Sequence, residues 1–556
     1  MVREAVGAML APSAGSGRGV AGRQEAADWQ MSLAEQLMLK PDTTIEWLRW
    51  PTRLAWLAAF ALVMAWPQSS SSARELRFGV SDIPRSMGNP YTENGTPSSY
   101  TWMALFDALT RLDTEGRLEP GLATVWEVVG ERTWRFHLRE GVRFSNGEPL
   151  DAQAVVATIE WLGSPAGLRT LIGNEVRGVE SAKVVDTHVV DVTTRMPDAI
   201  LPQRLSAVMI VAPEAWATLG PEGFARQPVG TGPFRLVQWN DTRRRVTMVA
   251  NHDSWRKPVL SGLELIALPD DAVRVQALRS GEVDLTIVDI EDIEFLASRG
   301  FDIHHRPSMQ VMALAFNTER DPPSPVRDQR VRQALNYAVN QQAIAEVLLQ
   351  GLVQPAGQPA SRSTPGYNPE VFAYPHDPAR ARALLAEAGY ADGLDLLIEA
   401  VDGGIPGANQ IFQVVVQDLG RVGVRARLQL RPFSAWVRDY LGGTTRADIF
   451  GLPWNAAPYN DVLRPIEYYS CAQRNAFFCE PSIMPVIQQA AGELDPEARL
   501  MLLKDLAVKI HALAPSLFLV EQITLFATHP AVTRFDIANR VPVYETLEME
   551  AVNSRR

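Results

Sequence analysis

The chain has 556 residues, enough at about 150 residues per domain for three or four domains and a sizeable core without metal or disulfide support. Apolar residues supply 46% and charged residues 21%, which excludes the collagen-like and disordered classes. The net charge of −11, with no basic run longer than three residues, excludes the electrostatic footprint of a nucleic-acid binder.

In chain order, the first feature is LAWLAAFALVMAW (54–66), thirteen apolar residues preceded by Lys40, Arg49 and Arg53 and followed, after Pro67, by QSSSSA. A bilayer-spanning helix needs about 20 apolar residues, so this run reads as the apolar region of a secretory signal cleaved after Ala73. Residues 1–48 exceed a normal basic leader, and a start at Met31 or Met38 accounts for them. The cleavage point offers no Cys for a lipid, so export predicts a free periplasmic protein. Cys471 and Cys479, the only cysteines, then sit in an oxidising compartment and are expected to pair.

From Arg74 onward, short β-like runs alternate with capped helices, which predicts an α/β protein. Strands are expected at 76–80, 133–144, 188–194, 244–250, 284–288 and 311–317. The block from LATVWEV (122–128) to RFSNGEPL (143–150) reads as a hairpin with Asn146-Gly147 at its tight type I′ turn, with Pro149 and Asp151 starting the next helix. Asp377 with Pro378 and Asp495 with Pro496 start helices, and Gly389 ends the first of these. The segment 331–351 is helical but breaks near Asn340, and 409–423 has helical spacing.

From residue 74 onward the sequence signatures of catalysis are missing: this part of the chain holds no GxSxG, GxxxxGK, GxGxxG or HExxH. GTGPF (230–234) reads as a tight turn before a strand. His304 and His305 are adjacent and on a strand would point to opposite faces, which disfavours a shared metal. The paired acids Asp270-Asp271 and Glu291-Asp292 read as helix-start carboxylates. Neither an enzyme, nor a cofactor, nor a metal site is expected.

Seven segments in order carry a family resemblance: 118–156, GTGPFRLVQW (230–239), NHDSWRKP (251–258), ALRSGEVDL (277–285), 316–344, YPHDPARARALLAEAGYADG (374–393) and SCAQRNAFFC (470–479). From residue 75 to the C-terminus the chain resembles the dipeptide/oligopeptide-binding family, family 5, of ABC-transporter solute-binding proteins. The resemblance implies a bilobed α/β fold of the type II periplasmic binding proteins. Lobe I would comprise 74–308 and 516–556, with an additional subdomain at about 110–230, and lobe II would comprise 309–515. It further implies a monomer that captures a small solute by hinge closure and delivers it to inner-membrane permease subunits with their ATPases. A secreted sensor without transport, or a secreted hydrolase, is the alternative.

By the same resemblance, ligand contacts are expected from Met87, Asn89 and Tyr91 in the loop after the first strand. In the second lobe they are expected from Trp454, Asn455, Ala457, Tyr459, Asn460 and Asp461. An indole like that of Trp454 lines the family's pocket. Peptide-binding members carry an aspartate at the position of Ala457 to pair with the peptide ammonium, and Asp461 is the nearby acid that could substitute. A desolvated ammonium needs a partner charge. The neutral position therefore points toward a polyhydroxylated, conjugated or aromatic solute over a free peptide.

Overall fold

The computed structural model describes residues 75–402, 406–456, 459–473 and 475–550. The expected export signal (1–73) and Ala457 lie outside them. The first strand, β1 (Glu75–Val80), buries Leu76, Phe78 and Val80. Four further strands, β2 (Ala123–Gly130), β3 (Thr133–Leu138), β4 (Val179–Asp186) and β5 (Val189–Thr194), form a separate antiparallel sheet in the order β2-β3-β5-β4. This sheet lies inside 110–230. The helix Ala152–Gly163 packs against it, started as expected by Asp151, whose carboxylate accepts from Ala154 N at 3.1 Å.

Two local expectations need correction here. The strand predicted to reach Phe144 ends at Leu138, and the β2–β3 hairpin turns at residues 131 and 132. Asn146-Gly147 closes a smaller loop, with Phe144 N donating to Glu148 O at 2.9 Å. Only Gly147 has a positive φ, 93°, and a type I′ turn needs two such residues.

The chain continues through β6 (Phe234–Asn240), β7 (Arg245–Ala250), β8 (Gly262–Ala267) and β9 (Leu285–Ile287). GTGPF does precede a strand, and its glycines serve close packing. A Cβ on Gly230 would fall 2.1 Å from Leu105 O, at the end of the helix Ser99–Leu105. Then comes the fifteen-residue β10 (Asp302–Phe316), followed by β11 (Leu394–Val401), β12 (Val424–Arg431), β13 (Ile449–Asn455) and the thirteen-residue β14 (Ser516–Thr528).

These ten strands make one sheet in the order β12-β11-β13-β10-β14-β9-β1-β8-β7-β6. It has two halves joined through β10 and β14, which lie antiparallel along most of their length. At one end β14 pairs with β9, and at the other β10 pairs with β13. The β10–β14 register breaks between Pro307 and Val311 and again between Met312 and Ala313. Both strands therefore cross from one half to the other where their ladder is interrupted. On β14 the crossing falls inside the strand, because residues 516–520 pair with the second-half stretch of β10 and 523–528 with its first-half stretch. After β14 the chain packs on the first half, where Tyr544 Oη donates to Tyr100 O at 2.8 Å.

Capping governs the helices. Asp377 accepts from Arg380 N and Asp495 from Ala498 N, starting Pro378–Glu387 and Pro496–Leu513. Asn340 divides Gln329–Ala338 from the next turn, which it caps through Ala343 N. In the second half Cys471 and Cys479 form a disulfide. By chain entropy an eight-residue separation is worth about 2–3 kcal/mol. The double substitution Cys471→Ser/Cys479→Ser should lower the urea unfolding free energy by that amount, and an unchanged midpoint would exclude a stabilising staple.

Candidate functional site

Strand direction locates the site. β1, β8 and β9 are parallel, and both β9 and β10 run antiparallel to β14, so β1 and β9 point toward the second half. β13 runs antiparallel to β10, and β11 is parallel to β13, so these two point toward the first half. The carboxyl ends of β1 and β9 thus face those of β11 and β13 across the crossing strands. Ligands of open α/β sheets bind outside the carboxyl ends of strands, so the seam between the halves is the candidate site. Its walls include the described residues of the four loops that leave those ends, at 81–98, 288–292, 402 with 406–407, and 456 with 459–462.

Sequence reasoning found two of these loops, after β1 and after β13, and missed the other two. In the loop after β9, Asp289 accepts from Ile290 N at 2.6 Å and, across the seam, from Gly407 N at 3.1 Å. Gly407, at φ +69°, is the N-cap of the helix Ala408–Arg421 and brings no capping side chain of its own. The carboxylate of the opposite half caps that helix instead. Beside it Gln410 Nε2 donates to Glu291 Oε1 at 2.7 Å, and Asn409 Nδ2 donates to Asp402 Oδ1 at 2.9 Å. Burial pushes the Asp289 and Asp292 carboxyls above their usual range, and the Ile290 and Gly407 N–H groups partly offset this at Asp289.

The hinge floor was also missed. Glu521, opposite Val311, and Gln522 interrupt the apolar run of β14, and Ser308 and Gln310 lie within the register break of β10; all four are buried. Glu521 Oε1 accepts from Arg362 N at 3.0 Å. Burial raises the Glu521 carboxyl, against the pull of that N–H and of the Arg362 charge. Polar residues inside a thirteen-residue apolar strand were the signal that could have found them.

The expected contact residues are distributed unevenly. Met87, at φ +49°, stays partly exposed on its loop. Asn89 is buried and spends Oδ1 on Tyr91 N at 3.0 Å. Tyr91 is a correction: it is 1% exposed, stacks on Trp161 and donates its hydroxyl to Met209 O at 2.9 Å, so it is part of the first-half core. Trp454 and Asn455 end β13, with their backbone opposite Val311 and Gln310 at the hinge; their side chains are outside the description.

Tyr459 is likewise no open aromatic platform. It is 1% exposed, and its hydroxyl accepts from Arg204 Nη1 at 3.0 Å and donates to Glu175 Oε2 at 3.3 Å. Asn460 donates Nδ2 to Gly116 O at 2.7 Å and to Ser363 O at 3.2 Å, tying the two halves. Asp461 is the clearest correction. Both of its oxygens are taken by Arg499, at 2.8 and 2.9 Å, and Oδ1 also accepts from Leu463 N. It is 1% exposed and already neutralised, so it does not replace an ammonium-binding acid at position 457.

Among the described residues no group of three or more His, Cys, Asp or Glu side chains could hold a metal ion. A cavity of about 840 Å³ on the flank of the second half, lined by Asn340, Gln354, Arg362, Tyr367 and Tyr374, contains none of the four strand-end loops. What the seam can do is bring two sets of loop ends together around a solute.

Comparison with known proteins agrees with this geometry. Residues 117–476 match the family model described as bacterial extracellular solute-binding proteins, family 5. The glutathione-binding protein GsiB of Salmonella typhimurium is 29% identical over 389 residues, covering 67% of this chain and 73% of the relative. Heme-binding protein A of Haemophilus influenzae is 28% identical over 434 residues, covering 72% and 78%. The solved structure of the ABC transporter-associated periplasmic binding protein DppA from Helicobacter pylori, in complex with the peptide STSA, superposes with a TM-score of 0.74 at 20% identity, covering 86% of this chain and 98% of that one. That likeness shows the bilobed α/β fold. Among the described residues no helix is long and apolar enough to cross a membrane. Paired lobes, facing strand ends and a family match over most of the chain lead to one conclusion: the protein belongs to the bacterial extracellular solute-binding proteins, family 5.

Proposed function

We propose that the chain is the periplasmic capture component of an ABC importer, exported by the signal at 54–66, and that it binds without catalysing. A small solute seats in the seam, draws the halves together about β10 and β14, and is handed to the membrane permease with its ATPases. The observation that carries this reading is the facing of carboxyl strand ends across two crossing strands whose ladder is broken at the crossing. A solute can drive closure only through extra contacts made with the second half in the closed form.

The solute class follows from charge. Ala457 stands where peptide-binding members carry an acid, and Asp461 is consumed by Arg499. A peptide ammonium buried there lacks its partner. Free dipeptides and tripeptides should bind more weakly than about 100 μM, which is roughly 5.5 kcal/mol, and Ala457→Asp should tighten them. Heme, for which one relative is named, is the first aromatic probe, whereas glutathione, for which another is named, is itself a tripeptide with a free ammonium and belongs with the peptides expected to bind weakly. Calorimetry of the mature chain tests the solute class, and micromolar binding of a free tripeptide by the unmodified protein would overturn it. Small-angle scattering tests closure, and an unchanged radius of gyration at saturation with a bound probe would overturn that.

A further inference from the structure

Where the loop after β13 meets the first half, six side chains form one polar cluster. The first half supplies Asp198, Arg204 and Glu175; the second supplies Tyr459, Arg464 and Glu467. Arg204 spreads its guanidinium over three partners: Asp198 Oδ2 at 3.0 Å, Tyr459 Oη at 3.0 Å and Glu467 Oε1 at 3.2 Å. Arg464 Nη2 donates to Glu175 Oε1 at 2.8 Å, and Glu175 Oε2 accepts from the Tyr459 hydroxyl. Both guanidinium groups lie over the Tyr459 ring, 5.4 and 5.5 Å from its centre. Beside the cluster, Ala199 N donates to Ala491 O at 2.8 Å, and fully buried Ile200 packs among second-half residues that include Ile466 and Ile487.

We propose that this cluster is a closure latch, with Arg204, Glu175 and Arg464 as positioning residues that hold Tyr459, and with it residues 459–462, against the first half. The inference rests on the hinge reading above. The loop is short: Tyr459 lies four residues after Asn455, the end of β13, and two after Ala457. Pinning the Tyr459 ring and hydroxyl from the first half therefore sets where the solute-discriminating end of β13 sits in the closed form.

The energetics favour a switch over a static weld. When the seam opens, every charge in the cluster returns to water on its own half, and Arg204 keeps Asp198. When the seam closes, two guanidinium groups meet three carboxylates and a hydroxyl in one desolvated geometry. Pairing of this kind contributes modest net energy but high geometric selectivity, and loss of one partner strands a charge. The inserted subdomain thereby takes part in capture.

The test needs no solute. Spin labels at introduced cysteines replacing exposed Val185 and Met501, one in each half, report the open and closed populations as two distances, while the native cysteines stay paired. In the solute-free protein, Arg204→Ala and Glu175→Arg should each lower the closed-to-open ratio about tenfold or more. Tyr459→Phe, which keeps the ring, should lower it less. Glu175→Arg combined with Arg464→Glu should recover closure beyond either single variant. Thermal melts confirm that the variants are folded. Two populations whose ratio ignores Arg204→Ala and Tyr459→Phe would overturn the latch and leave the hinge intact. A single distance in the unmodified protein and all variants would overturn the latch, while the hinge is judged separately by the scattering at saturation.

Discussion

Asp461→Ala is expected to lower the unfolding free energy by about 3–5 kcal/mol, the cost of breaking a buried ion pair from one side. Arg499, on the helix Pro496–Leu513, gives both terminal nitrogens to Asp461 and its Nε to Ala490 O at 3.0 Å. Without the carboxylate, the guanidinium stays buried with its charge unanswered, and Leu463 N loses the acceptor at the start of the helix Leu463–Glu467. Urea denaturation measures the loss. The paired replacement Asp461→Leu with Arg499→Met should recover most of it, since swapping both partners for apolar groups strands no charge. A folded Asp461→Ala protein of ordinary stability that loses only solute affinity would show that the carboxylate serves the ligand instead.

Arg256→Ala should cost a similar amount and act on the opposite side of the molecule. Arg256 is 7% exposed and joins four groups: Asp107 at 2.6 Å, Glu545 at 3.0 Å, and the carbonyls of Met103 and Phe106 at 2.9 and 3.2 Å, at the end of the helix Ser99–Leu105. It therefore fastens the returning C-terminal segment to the first half. Truncation leaves two buried carboxylates, although Asp107 keeps Thr231 and Trp255 and Glu545 keeps Arg111.

The pH dependence has a definite sign. Burial pushes the Glu545 carboxyl up, but the charges of Arg256 and Arg111 outweigh it and hold the group below its ordinary 4.5. A carboxyl depressed in the folded state contributes stability above that ordinary value, and the contribution is lost as pH falls through the folded value. Removing Arg256 raises the carboxyl, so the variant's deficit should be largest at neutral pH and shrink below about pH 4.5. Denaturation at both pH values checks this, and an equal deficit at each would show that lost packing, not charge, causes it.

Local chemistry was legible in the sequence. Asp151, Asp270, Asp377 and Asp495 start helices because a side-chain oxygen and a backbone N–H three residues on need nothing else to meet. Alternation exposed β1, β5 and β7 for the same reason. It located only the second-half end of β10, since DIHHRPSMQ (302–310) shows no apolar alternation, and only pairing with β14 extends the strand back to Asp302. The Asn146-Gly147 turn was placed in the wrong hairpin because the dipeptide signals a turn without saying which strands it joins.

The candidate site shows the same division. Its loops could be recognised as polar segments after strands, and family motifs pointed to 82–100 and 448–461. Sequence alone thus determined the α/β class, the capped helices, the family and the neutral residue at 457. Which polar groups are already spent was decided by tertiary structure alone. Tyr91 meets Trp161, Tyr459 meets Glu175 across 284 positions of chain, Arg464 meets the same carboxylate across 289, and Asp289 caps a helix 118 positions away. Periodicity and capping report the conformation of a few neighbouring residues. A buried charge, by contrast, takes its role from whichever partner the folded sheet brings within hydrogen-bond reach, and that juxtaposition exists only once both halves are assembled around β10 and β14.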